Sequence, residues 1–86
     1  MLYMNEQDIL KQLKIRLAEA YIRKQHEILD VLPESRLEED LHLDSLDRIE
    51  LWMDLESIFK ISIPETELKQ INTVQDVVNL VKKYVK

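Results

Sequence analysis

The chain has no glycine and no cysteine, and its 86 residues include only two prolines, two histidines and five aromatic side chains. Without cysteine there can be no disulfide framework, thiolate zinc site or thiol nucleophile, which suits a reducing cytoplasm, the expected location. Without glycine there is no phosphate-cradling loop, so nucleotide binding through one is excluded. Any turn needing a positive φ must then use another residue, and Asn72 and His42 are the expected ones. His26 and His42 lack metal-ligand spacing, so no metal site is expected. No apolar run reaches the length of a membrane span. No signal-peptide pattern is present either, because Met1–Met4 runs straight into Asn5-Glu6-Gln7-Asp8. With a net charge of −5 and no basic stripe, the chain is not expected to bind nucleic acid.

A hydrophobic fraction of 45% is enough for one small core, so residues 1–86 read as a single domain and a monomer. Charge is unevenly placed. From Glu34 to Glu56 nine acids face only Arg36 and Arg48, a net of −7 that leaves +2 for the rest of the chain. Such a centre presents a negative face to basic partners, unless it is simply a solvated surface.

Four helical segments follow from period and caps. Asn5 with Asp8 makes a capping box for the first, where Ile9, Leu10, Leu13, Leu17, Ala20 and Tyr21 share a face up to about Lys24. Residues 25–32 form a helix or loop closed by Pro33, and Glu34–Leu43 reads as a long polar loop anchored by Leu37 and Leu41. Asp44 caps the second helix, which runs to about Phe59. Ile61–Pro64 is extended, and a short third helix is expected over Pro64–Gln70. Thr73 with Asp76 caps the last helix, with Val74, Val77, Val78, Val81 and Val85 on one face. The fold class is all-α: three main helices and a short one, with a long first connection.

The second helix does not sort into one apolar and one polar side. Leu51, Leu55, Ile58 and Phe59 form a core stripe with Trp52 at its edge. Leu46, Ile49 and Met53 form a second stripe on roughly the opposite side, flanked by Asp47, Glu50 and Asp54. Apolar stripes are usually core. An acidic rim beside an exposed ridge is also what a transient protein partner reads, apolar anchors supplying affinity and charge supplying register.

The run Leu41-His42-Leu43-Asp44-Ser45-Leu46-Asp47-Arg48-Ile49-Glu50-Leu51 resembles the phosphopantetheine attachment segment of the acyl carrier proteins. The resemblance continues through Leu55–Phe59, Ile61–Pro64 and Ile71–Val77, and upstream through Leu37–Leu41. His42 stands where that family usually has glycine, while Arg48 and Trp52 replace smaller residues. By the wheel, Arg48 points toward the core side.

The resemblance implies a free-standing carrier that is not itself an enzyme. A phosphopantetheinyl transferase takes 4'-phosphopantetheine from coenzyme A and attaches it to Ser45, with Asp44 capping the helix and guiding the transferase. Acyl intermediates then ride as thioesters to acyl-transferring, condensing or modifying enzymes with basic docking surfaces, in fatty acid or related acyl and polyketide biosynthesis. Leu46, Ile49 and Met53 form the docking ridge, and Asp47, Glu50 and Asp54 steer. A peptidyl or aminoacyl carrier and an unmodified interaction module are the alternatives. The residues suit the attachment independently: a serine at a helix start meets open N–H groups and the positive end of the dipole, both favourable to a phosphodiester.

Overall fold

A computed structural model describes residues 5–85. Helices α1 (Glu6–Arg23), α2 (Ser45–Phe59), α3 (Glu65–Leu68) and α4 (Val74–Tyr84) follow one another, with no strand among the described residues and one isolated bridge between Arg36 and Thr73. The all-α fold expected from the sequence is the fold observed. Each long helix starts on a reciprocal capping box: Asn5 with Asp8, Asp44 with Asp47, and Thr73 with Asp76. These boxes satisfy N–H groups that a helix start otherwise leaves open.

The core is a single cluster. Ile9, Leu13, Leu17 and Tyr21 of α1 meet Leu51, Trp52 and Leu55 of α2 and the valines of α4. Leu80 joins the buried α4 face although its register was not expected, and Val85 lies just past the helix and is only partly buried. Ile58 and Phe59 are likewise only partly buried. The third helix is shorter than expected and buries no residue, Pro64 serving as its N-cap. It is held by Glu67, which accepts hydrogen bonds from the Tyr84 hydroxyl and from Lys83 Nζ (2.8 Å).

The long first connection is ordered by α4. Leu37 N–H donates to the Asn72 carbonyl (2.9 Å), Val74 N–H to Ser35 (2.9 Å) and Gln75 N–H to Pro33 (2.8 Å). Leu37 and Leu41, the expected anchors, are both buried, and the Tyr21 hydroxyl donates to the Leu41 carbonyl at 2.6 Å. Among the described residues the left-handed positions are Gln25, His42 and Lys60. His42 matches expectation; Asn72 does not. Its N–H donates to Asp76 Oδ2 (3.0 Å) and its carbonyl accepts from Leu37, an arrangement set by the cap of α4. Gln25 and Lys60 instead lie where α1 and α2 end, and the next N–H folds back in each case, His26 to Tyr21 (2.9 Å) and Ile61 to Glu56 (3.1 Å). That closure needs one αL residue whatever its type, and with no glycine available glutamine and lysine take it. No helix among the described residues is long and apolar enough to cross a membrane.

Candidate functional site

Ser45 is the first residue of α2 and is exposed. Asp44 just before it turns its carboxylate back onto the helix, accepting from Asp47 N–H (2.8 Å), while Asp47 Oδ2 accepts from Asp44 N–H (3.1 Å). The box uses the third N–H of the helix, and those of Ser45 and Leu46 have no acceptor among the described residues. An anionic group on Ser45 Oγ therefore meets open donors at the positive end of α2.

The residues expected to form a docking ridge share one exposed strip. Leu46, Ile49 and Met53 are 64%, 53% and 63% exposed, so they are not core. The three acids beside them differ from one another. Asp47 is turned inward, its side chain 11% exposed, with Lys24 Nζ at 2.7 Å. Burial raises its carboxyl pKa, but the Lys24 ammonium and the Asp44 N–H outweigh that and hold it below the ordinary value. Asp47 thus fastens α1 to the start of α2. Lys24 also reaches the His42 carbonyl (3.4 Å), next to the site. Glu50 lies 3.5 Å from Arg23 at the surface, and Asp54 is exposed. Nothing in the sequence signals that Arg23 and Lys24 meet these acids.

On the other side of the ridge a groove of about 610 Å³ opens between α2 and α3. Ser45, Ile49, Trp52 and Met53 line it from α2, and Ile63 and Leu68 from the segment beyond. Trp52 is core, 6% exposed, and forms the wall. Arg48 does lean inward, and its guanidinium donates to the Ile71 carbonyl (3.3 Å). Glu56 accepts from Ile63 N–H (2.8 Å), pinning the extended segment to α2. The share of Ile63 and Leu68 in this wall was not anticipated; their only sign in sequence was apolar spacing in a short stretch. The fold brings the rings of His26 and His42, sixteen residues apart in the chain, to a centroid distance of 5.7 Å. No group of three or more potential ligands forms a metal site among the described residues.

Residues 15–81 match the family described as "phosphopantetheine attachment site". Over 78 residues the chain is 38% identical to the acyl carrier protein of Thermosynechococcus vestitus, covering 91% of this chain and 93% of that one. The chain belongs to the acyl carrier protein family. With that family comes a covalently attached 4'-phosphopantetheine, and its members are carriers rather than catalysts. This carrier is also 53% identical over 49 residues to the acyl carrier protein of Phytoplasma australiense, covering 57% of this chain and 64% of that protein's length. Its match to the Helicobacter hepaticus acyl carrier protein also spans 64% of the relative, at 57% identity. Among solved structures, an acyl carrier protein from Thermotoga maritima superposes with a TM-score of 0.67 at 32% identity, covering 85% of this chain and 86% of that one. MacpD, an acyl carrier protein from Pseudomonas fluorescens involved in mupirocin biosynthesis, gives 0.75 at 26% identity, covering 87% and 68%.

Proposed function

We propose that this chain carries an acyl group on a phosphopantetheine arm attached to Ser45 and presents it to successive enzymes of fatty acid or a related acyl biosynthesis, without catalysing a step itself. The supporting observation is the setting of Ser45: an exposed hydroxyl at the start of α2, beside open N–H donors and lining the groove over Trp52. The arm supplies the thiol that a cysteine-free chain lacks, and the acyl group is held there as a thioester. The protein's own residues do the rest. Asp44 and Asp47 fix the first turn of α2 so that the Ser45 hydroxyl faces a modifying transferase. Lys24 ties that turn to α1, and the ridge of Leu46, Ile49 and Met53 offers apolar anchors to each enzyme in turn.

Incubation with coenzyme A and a broad-specificity phosphopantetheinyl transferase tests the reading by intact mass. The wild-type chain gains one phosphopantetheine and Ser45→Ala gains none. The variant's stability stays within about 0.5 kcal/mol of wild type, because an exposed first-turn side chain contributes little to packing. A Ser45→Ala protein that still gains the arm moves the attachment elsewhere and ends the proposal.

A further inference from the structure

The flank between the ridge and α1 carries both signs of charge, and the positive half belongs to a different helix. Around α2, at about 100° per residue, Glu50, Asp54 and Asp47 follow the ridge on the side where α1 packs. There α1 sets Arg16 and Arg23, two turns apart, into a narrow cleft opposite Glu50 and Asp54. Arg23 and Glu50 are 3.5 Å apart and each about half exposed. Arg16 bonds Glu19 of its own helix (3.1 Å), and its Nε is buried with no hydrogen-bond partner among the described residues. Lys24 already holds Asp47. Counting Glu19, three bases stand against four acids along this seam, so the flank that looks uniformly acidic in the sequence of α2 is close to neutral in the fold.

Exposed pairs such as Arg23 with Glu50 stabilise the fold little and open readily, which leaves both members available to a partner. A uniformly basic surface laid on the ridge meets Arg23 and Arg16 as like charges. A surface of alternating sign satisfies both helices.

We propose that the docking face of this carrier is two-signed: an enzyme that seats Leu46, Ile49 and Met53 places an acidic side chain on Arg23 and a basic one on Glu50 and Asp54. This rests on the ridge being the docking surface. The seam then selects by register more than by long-range attraction, because alternating charges cancel at a distance and a misplaced partner sets like charges against each other.

The test uses the full chain, coenzyme A and the phosphopantetheinyl transferase of the source organism, reading the second-order rate of mass gain at limiting carrier. Arg23→Glu should slow modification about fivefold, the worth of one exposed ion pair. The charge swap R23E/E50R rebuilds the internal pair with reversed polarity and should stay as slow, with wild-type circular dichroism confirming its fold. An Arg23→Glu rate at or above wild type overturns the proposal, since Arg23 then only competes for Glu50. A swap that recovers the wild-type rate overturns it too, because the pair alone then matters. The ridge variant I49A/M53A separates the readings: an unchanged rate removes the ridge and this proposal with it, while attachment at Ser45 stands or falls on Ser45→Ala alone.

Discussion

Tyr21 sends its hydroxyl to the Leu41 carbonyl at 2.6 Å and so fastens the first connection to α1 from inside the core. Burial, with a smaller contribution from the Asp47 carboxylate, raises its pKa to about 12. A folded pKa above the unfolded value means the stabilisation is complete below the unfolded pKa of about 10 and is lost as the pH rises through 12. Tyr21→Phe leaves a buried carbonyl without its donor and should cost about 1–2 kcal/mol at neutral pH. Denaturant unfolding between neutral pH and the alkaline limb should also show a shallower loss in the variant than in wild type. Lys60 presents the opposite case. It holds φ at 56°, where a Cβ is penalised, so Lys60→Gly should stabilise the protein by about 0.5–1 kcal/mol, read by the same unfolding experiment.

The three long helices begin where their caps say, and α1 and α2 end close to where their apolar spacing stops. Asp76 shows what a cap contributes. The N–H groups of Thr73 and Asn72 hold its carboxyl below the ordinary pKa, and Asp47 is lowered as well. Depressed carboxyls give stability that is present above the unfolded value of about 3.9 and disappears as the pH falls through the lower folded values. Asp76→Ala should therefore cost about 1 kcal/mol at neutral pH and flatten the acid limb of the stability curve, as thermal melts through the acidic range will show. Helix starts were legible because Asn5, Asp44 and Thr73 each carry a partner three residues on, a signal contained within one turn. The ends of α1 and α2 were legible too, close to Lys24 and Phe59 where the apolar spacing stops, but the residues that close them were not, because geometry conscripts Gln25 and Lys60 rather than type favouring them. The stripe of Leu46, Ile49 and Met53 could be traced on the wheel, but whether it was core or open depended on where the other helices lay. The pairing of Asp47 with Lys24 was not legible, because Lys24 lies a whole connection away in the chain.

How much cargo the protein can shelter depends on the meeting of α2 and α3. The groove of about 610 Å³ ends against Trp52, whose indole fills core volume that a smaller side chain would leave free. Loading short acyl groups should shift Trp52 emission, while lengthening the chain beyond octanoyl should add no further thermal stability. Trp52→Leu should restore a gain with length; if wild type already shows one, the core opens around the indole. The first connection, finally, is two segments of different kinds. From Pro33 to Leu43 its main chain is stitched to α4 and to itself, whereas residues 24–30 are largely exposed and bonded mainly at the helix end. A protease must draw several residues into an extended strand, which the first half can offer and the second cannot without melting α4 away from it. A glutamate-specific protease should accordingly nick the native protein after Glu27 well before Glu38 or Glu39, and the two fragments should stay associated through the shared core.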